Sequence, residues 1–233
     1  MQIINHNGKE FCVAHFQALS RHQFPQVIDA INEQEIVMPE DVDIVTVTNR
    51  PEISILMEQL SKHNIHFINK APKGCYWTNL KKIGFIIEGL QEVNSKYALI
   101  LDADDVLLTK DVINIERKFR LFQKELIFGA TKNNFPDVLI DKVRDRDFRG
   151  DFRYLNAGTC FGTVDACLRF YLKASEILHQ ILVYNPFNSE QLIIRHAFKE
   201  STGYVDFDYQ CLLFQTFDGT HAWKINDNTS KII

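Results

Sequence analysis

The stretch Tyr97-Ala-Leu-Ile-Leu-Asp102-Ala-Asp104-Asp105-Val-Leu-Leu108 joins a short apolar run directly to three carboxylates. A run of this length, rich in branched side chains and led by an aromatic residue, is typical of a buried β-strand. The carboxylates then lie at the carboxyl end of that strand, which is where open α/β sheets form their ligand crevices. The stretch therefore predicts an α/β fold with a functional site at Asp102.

The three carboxylates Asp102, Asp104 and Asp105 fall within four consecutive positions. Like charges at this spacing repel and raise one another's pKa, and a bound divalent cation removes that cost. An oxygen-only ligand set suits Mg²⁺ or Mn²⁺, which keep open positions for water and phosphate oxygens. We therefore expect a metal-bound, phosphorylated ligand. The alternative is that Asp104 and Asp105 begin a turn or a helix without any ligand.

The sequence on both sides of this strand alternates between strand and helix patterns. Apolar runs predict further strands at 42–47, 65–68 and 126–130. Apolar residues at helical spacing predict helices at 53–60, 80–90, 112–122 and 167–182. We expect Asn49 to cap the first of these helices and Thr78 the second. The order βαβαβ implies a parallel sheet with right-handed crossovers.

Length and composition favour a single globular domain. The chain has 233 residues, of which 45% are hydrophobic and 24% are charged, so it can bury a sizeable core. No linker, repeat or low-complexity tract divides the sequence, and we expect an N-terminal helical extension over 1–40 and a core over 42–219. The net charge of −4 argues against a dedicated nucleic-acid binder.

The sequence also bears on location and redox state. The first ten residues lack the charged and apolar regions of a signal peptide, and no run approaches the ~18 apolar residues of a membrane span. We therefore expect a cytoplasmic protein without a transmembrane segment. The cysteines form neither a CxxC pair nor a zinc spacing and are expected to be buried thiols; they lie at positions 12, 75, 160, 167 and 211.

Two further segments place polar residues between apolar ones. In Arg153-Tyr-Leu-Asn156-Ala-Gly158, an apolar approach is followed by Asn-Ala-Gly. This pattern either brings an amide and a bare backbone close to a polyol or phosphate, or forms an ordinary turn. In the second segment, Asn188 and Gln191 have the spacing of a capping box. Such a cap would hold Glu190 in the first turn of a helix.

The order of these motifs resembles that of the metal-dependent nucleotide-sugar glycosyltransferases of the GT-A fold. The nearest similarity is to the glycosyltransferase domain of the procollagen lysyl hydroxylases, and the glycogenin-like glycosyltransferases are more distantly similar. The Asp-x-x-Asp motif of the first group falls on Asp102 and Asp105, and the Asp-x-Asp motif of the second falls on Asp102 and Asp104. The similarity spans about positions 42–219 and includes two more segments, at 74–82 and 206–219.

The resemblance implies a GT-A-like (Rossmann-like) α/β fold with a mixed, mostly parallel sheet and helices on both faces. It implies transfer of a hexose from a UDP-sugar, either UDP-glucose or UDP-galactose, to an acceptor hydroxyl, with Mn²⁺ or Mg²⁺ as cofactor. The implied metal ligands are Asp102, Asp104, Asp105 and His221. The implied donor-binding residues are Thr48, Asn49, Trp77, Lys81, Lys82, Asp104 and Gln191. Asn156 is implied to hold sugar hydroxyls, and Glu190 to act as general base or as electrostatic partner of the transition state.

Two features depart from the family pattern. Ser189 and Glu190 precede Gln191 where the lysyl hydroxylase domains carry acidic residues, and only His221 is available for the family's metal-binding His-Gly-Asn segment.

The acidic strand end also fits the Asp-x-Asp-x-Val motif of haloacid-dehalogenase-like phosphatases, whose first Asp is the nucleophile. That motif usually opens the phosphatase fold and precedes a Gly-Asp-x-x-x-Asp pair, which this chain lacks. A non-catalytic nucleotide-sugar-binding domain is the third possibility.

Overall fold

The computed structural model describes residues 3–5, 7–17, 22–135, 150–181, 189–217, 225–226 and 231–232. These residues include the strands β1 (Val13–Phe16), β2 (Val42–Val47), β3 (Phe67–Ile68), β4 (Tyr97–Asp102), β5 (Val106–Leu108), β6 (Leu126–Thr131), β7 (Tyr154–Thr163), β8 (Val205–Phe207), β9 (Phe214–Phe217), β10 (Ile225–Asn226) and β11 (Lys231–Ile232). They also include the α-helices α1 (Pro25–Asn32), α2 (Ile55–Lys62), α3 (Lys81–Leu90), α4 (Ile115–Phe119), α5 (Val164–Ile181) and α6 (Glu190–Ser201).

The main sheet has six strands in the order β3-β2-β4-β7-β6-β8. Strands β3, β2 and β4 are parallel, β7 is antiparallel to both of its neighbours, and β6 and β8 are again parallel. The predicted α/β fold with a mixed sheet is therefore confirmed. The strands expected at 42–47 and 126–130 are present, and the strand expected at 65–68 is shorter, at Phe67–Ile68.

A second sheet has three strands in the order β5-β1-β9, with β1 antiparallel to β5 and parallel to β9. Its central strand β1 comes from the first 40 residues, for which the sequence predicted only a helical extension. Helix α1 lies in this segment as well, but the four residues of β1 are all buried. A buried strand this short has no period that distinguishes it from a loop or a helix. The N-terminal segment therefore supplies part of the core.

Alternate side chains of β4 face two different cores. Ala98 and Ile100 belong to the cluster that includes α3, α5 and α6 on one face of the main sheet. Leu99 and Leu101 belong to the cluster that includes α2, α4 and the small sheet on the other face. A third cluster places Phe217 of β9 against the buried side of α1. Both faces of the main sheet are therefore covered, as continuous apolar strands require.

Two helices begin differently from the prediction. Ser54 caps α2 by accepting a hydrogen bond from the Met57 N–H at 3.2 Å, and Asn49 donates to the Cys75 carbonyl oxygen instead. Helix α3 begins after Leu80 without a side-chain cap. The predicted caps are wrong because a short 3-10 turn at Pro51–Ile53 and a turn at 78–80 separate Asn49 and Thr78 from their helices.

The described helices include none that is long and apolar enough to cross a membrane.

All five cysteines are free, and four of them are buried: Cys12, Cys160, Cys167 and Cys211. Burial raises the pKa of each of these four thiols above its ordinary value. The buried thiols are therefore protonated and serve as core residues.

Candidate active site

The carboxyl ends of β2 and β4 meet at one edge of the main sheet. Val47 lies opposite Asp102 in the parallel register of the two strands. The segments that follow these strands enclose a cleft with a volume of about 210 Å³, here called the first cleft. Its lining includes Thr48, Asn49, Trp77, Lys82, Asp102 and Glu190. The cleft therefore lies where the sequence predicted a ligand crevice, at the carboxyl ends of parallel strands.

A buried lysine joins two of the predicted site residues. Lys82 Nζ contacts Asp102 Oδ1 and lies 3.5 Å from Glu190 Oε1. Burial disfavours the charged lysine, but the carboxylates of Asp102 and Glu190 outweigh this cost and raise the pKa of Lys82. Lys82 is therefore the counter-ion of two carboxylates, and its expected role in binding the donor stays a prediction.

His15 forms a cluster with two of the predicted metal ligands. Its Nε2 lies 3.4 Å from Asp105 Oδ2. One ligand atom from each of His15, Asp102 and Asp105 lies within 4.8 Å of the other two. Ligand atoms on opposite sides of a small divalent ion, each at ~2.1 Å, are about 4.2 Å apart. The limit of 4.8 Å is slightly wider than this separation, so a small movement of the side chains brings the three residues, here called the triad, within reach of one ion.

Strand β1 brings His15 to the triad. His15 lies opposite Val106 of β5, and the Phe16 N–H donates to the Asp105 carbonyl oxygen at 2.7 Å. Burial lowers the pKa of the imidazole, but Asp105 has the opposite effect, and the pKa is raised overall. The sequence alone did not reveal His15. The feature of the sequence that could have indicated His15 is a polar side chain within an otherwise apolar run of four residues.

A bulge in β7 brings the backbone of a glycine against the triad. The register between β6 and β7 shifts after Phe128, and Gly158 of the bulged segment lies against two triad residues. A Cβ atom at Gly158 would lie 2.7 Å from Asp102 Oδ2 and 2.7 Å from His15 Cε1. Only a residue without a side chain fits at this position. Bulges are common beside functional sites, where they change the direction of the strand.

Asp104 lies apart from the triad. Its carboxylate is 3.5 Å from the Arg50 guanidinium, and both side chains are about half exposed. The structure therefore brings Asp102 together with Asp105, which is the Asp-x-x-Asp spacing. Arg50, which the sequence did not single out, is the partner of Asp104 at the mouth of the first cleft.

Five of the seven predicted donor-binding residues line the first cleft: Thr48, Asn49, Trp77, Lys82 and Asp104. Thr48 is buried and Asn49 half-buried at the end of β2. The Trp77 ring N–H donates to Asn79 Oδ1 at 3.1 Å, and the ring stacks on Phe85 with centroids 6.5 Å apart. One wall of the cleft therefore combines a fixed aromatic ring with neutral polar groups.

A second cleft, with a volume of about 290 Å³, adjoins the first. The two clefts share four residues, Asn79, Asp102, Asp105 and Glu190. The lining of the second cleft also includes Gln17, Thr131, Asn133, Phe135 and Asn156. The predicted residue Asn156 therefore lies in the second cleft, where its Oδ1 accepts the Gly158 N–H at 2.8 Å.

The other two predicted donor-binding residues lie elsewhere. Lys81 is exposed, its Nζ donates to the Tyr76 carbonyl oxygen at 2.9 Å, and among the described residues it lines neither cleft. Gln191 accepts the Ala157 N–H at 2.6 Å and donates to the Leu155 carbonyl oxygen. Its amide therefore fixes the first residues of β7 next to Glu190, at the edge of the second cleft.

Two predicted residues, Asn188 and His221, lie outside the described ranges, so their roles stay predictions. The N-cap position of α6 belongs to Ser189, whose side chain makes no capping hydrogen bond. Because Gln191 is bonded to β7, its part in the predicted capping box is wrong. Glu190 is nevertheless in the first turn of α6, as expected.

No protein-family model matches this chain, and no curated protein is significantly similar to it. The function is therefore inferred from the geometry of the site. Three features carry that inference: the triad, the buried Lys82 between Asp102 and Glu190, and the two clefts that meet at these residues.

Proposed function

We propose that this protein is a metal-dependent glycosyltransferase that moves a hexose from a UDP-sugar to an acceptor hydroxyl. The observation that carries the proposal is the convergence of His15, Asp102 and Asp105 where the two clefts meet. A cation at the carboxyl ends of β2 and β4 would lie where a diphosphate leaving group needs charge compensation. The proposal assigns the α/β fold to the GT-A type, in line with the resemblance of the sequence motifs.

The residues present fit a divalent cation. The four carboxylates of the site face two cationic side chains, Lys82 and Arg50, so two negative charges remain when His15 is neutral. Two carboxylates and one imidazole suit Mn²⁺, and the carboxylate oxygens are also ligands that Mg²⁺ accepts. The triad would hold the ion, and the ion supplies Lewis-acid stabilisation of the charge that develops on the leaving diphosphate.

The proposed reaction takes place at the anomeric carbon of the donor sugar. The acceptor oxygen forms a bond to this carbon, the bond from the carbon to the β-phosphate oxygen breaks, and its electron pair leaves with UDP. The acceptor proton passes to Glu190, whose carboxylate lines both clefts. Lys82, 3.5 Å from Glu190 Oε1, orients this carboxylate.

The first cleft is the proposed nucleotide site. Trp77 offers an aromatic face on which the base stacks. Thr48 and Asn49, directly after β2, offer neutral hydrogen-bonding groups for the edge of the uracil ring. This arrangement directs the diphosphate toward Asp102 and Asp105 and the sugar toward Glu190.

A UDP-sugar hydrolysis panel with Mn²⁺ tests the reaction class and the donor together, because transfer to water requires no acceptor. We expect UDP release from UDP-glucose or UDP-galactose that depends on Mn²⁺ and is abolished by EDTA. Asp105→Asn should lose this activity and Asp104→Asn should retain more of it, since Asp105 alone of the two belongs to the triad. Equal UDP affinity with and without EDTA, measured by calorimetry, contradicts a metal-dependent donor site.

Phosphatase chemistry has a different signature at the same residue. A haloacid-dehalogenase-like enzyme would form an aspartyl phosphate on Asp102 and hydrolyse simple phosphate esters. Detection of that intermediate replaces the glycosyltransferase proposal. If the protein binds a UDP-sugar but neither hydrolyses it nor transfers the sugar to any acceptor tested, a binding domain is favoured instead.

The proposal includes a cytoplasmic location, since all five cysteines are free and thiols persist in reducing compartments. Fractionation of the source cells tests this part of the proposal. Recovery in an oxidising compartment contradicts it and leaves the proposed reaction unaffected.

A further inference from the structure

The second cleft has a lining unlike that of the first. Apart from the four shared residues, most of its polar side chains are neutral amides and hydroxyls: Gln17, Thr131, Asn133, Asn156, Ser189 and Gln191. The described residues that line it include no lysine or arginine, whereas the first cleft is lined by Arg50 and Lys82. Phosphates and carboxylates are normally bound by such cations. The lining of the second cleft therefore suits a neutral, hydroxyl-rich ligand.

Several of these amides have donors available to a ligand. Asn156 is 4% exposed, and its Oδ1 is taken by Gly158, but its amide nitrogen donates to no described residue. The side chain of Asn133 likewise makes no hydrogen bond within the described part of the chain. The Asn79 Oδ1 accepts from the Trp77 ring N–H, and the Asn79 amide nitrogen also donates to no described residue. Sugar hydroxyls accept hydrogen bonds from groups of this kind.

An exposed aromatic ring completes the lining. Phe135 is 56% exposed and lines the second cleft. A sugar ring has an apolar face of C–H groups and polar hydroxyls at its edge. The ring of Phe135 can cover the apolar face while the amides bind the edge. The volume of about 290 Å³ is close to the lower bound of ~300–1,000 Å³ for small-molecule sites.

We propose that the second cleft binds the acceptor and that the acceptor is a neutral saccharide. This inference rests on the proposed function, because a protein that transfers no sugar has no acceptor. Glu190 lines both clefts, so a saccharide hydroxyl in the second cleft faces the carboxylate that takes its proton. The hydroxyl oxygen then bonds to the anomeric carbon as UDP leaves with the electron pair of the broken bond.

Saccharide binding to the full chain tests the inference in the absence of a donor. A panel of neutral mono- and disaccharides is titrated into the wild type, Phe135→Ala and Asn133→Ala, with binding followed by saturation-transfer NMR. We expect a saccharide that binds the wild type and loses about tenfold in affinity in each variant, as for the loss of one good contact. Tyr209→Ala removes an exposed aromatic ring that lines neither cleft and should bind as the wild type does.

The same saccharide should accelerate UDP release from the donor by the wild type and by Tyr209→Ala, and much less by Phe135→Ala. Two outcomes overturn the inference here. If Phe135→Ala and Asn133→Ala lose affinity for UDP-sugar but not for UDP, the second cleft holds the donor sugar. If only peptides or anionic compounds accelerate UDP release, the acceptor is not a neutral saccharide.

The acceptor inference and the proposed function fail in different ways. Donor hydrolysis that no neutral saccharide accelerates overturns the acceptor inference and leaves glycosyl transfer standing. Saccharide binding that depends on Phe135, without any donor hydrolysis, overturns glycosyl transfer and the acceptor role together.

Discussion

The buried ammonium group of Lys82 lies 3.5 Å from Glu190 Oε1 and also contacts Asp102 Oδ1. One positive charge therefore links helix α3 to the end of β4 and to the start of α6. The side chains of Lys82, Asp102 and Glu190 are 7%, 28% and 17% exposed, respectively. Water and salt screen this group less than they screen a surface ion pair.

Lys82→Met removes this charge and keeps a side chain of similar length. We expect the free energy of unfolding to fall by about 3 kcal/mol, because Asp102 and Glu190 lose their shared counter-ion. Mn²⁺ should raise the melting temperature of the variant more than that of the wild type, since the cation offsets the missing charge. Thermal unfolding with and without Mn²⁺ measures both effects. Equal Mn²⁺ shifts in the two proteins would show that Lys82 and the cation do not share these carboxylates.

His15→Ala should weaken Mn²⁺ binding by about tenfold or more, because the triad loses one of three ligands. Electron paramagnetic resonance of free Mn²⁺ measures the affinity directly, and thermal unfolding checks that the variant is folded. His66→Ala removes an exposed histidine and is the control. If His221→Ala weakens Mn²⁺ binding and His15→Ala does not, the histidine implied by the family resemblance is the ligand.

Gly158→Ala should reduce both Mn²⁺ affinity and turnover. The added methyl group would lie 2.7 Å from Asp102 Oδ2 and from His15 Cε1, so the triad must move apart. Gly84→Ala is a matched control, because a Cβ at this exposed position in α3 meets no atom within 4 Å. That control should keep full activity and raise stability by about 0.5–1 kcal/mol. Unchanged Mn²⁺ affinity in Gly158→Ala would mean that the glycine is not needed for the cation site.

Glu190→Gln should lower turnover by roughly 10²-fold or more, because the variant keeps the shape of the side chain and loses its charge. The affinity for UDP should change little, since the proposed base contact is with Trp77 and not with Glu190. Glu200→Gln, near the other end of α6, is exposed and should retain full turnover. Full activity of Glu190→Gln would leave the site without its proposed base and favour a binding domain.

The sequence predicted the features that depend on local order. The apolar run at Tyr97–Asp102 is a strand, and its carboxylates follow at the edge of a cleft. Glu190 begins a helix, as the motif order implied. These features follow from periodicity over a few residues and from the rule that the carboxyl ends of parallel strands meet.

The remaining site residues depend on tertiary packing. His15 reaches Asp105 only because β1 lies between β5 and β9, and no local pattern encodes that pairing. The neighbours Lys81 and Lys82 are equally plausible phosphate ligands in the sequence. On a helix their side chains point about 100° apart, so one is exposed and the other is buried against Asp102.

Strand β1 pairs with β9 through Val13 and Phe214, which are about 200 positions apart in the chain. Closing so long a loop has a high entropic cost, and contacts of large sequence separation slow folding. The imidazole of His15 therefore joins the two carboxylates only after strands far apart in the chain have paired. A cation held by these three groups would recognise the native state and not the unfolded chain, so its concentration would set the stability of the protein as well as its activity.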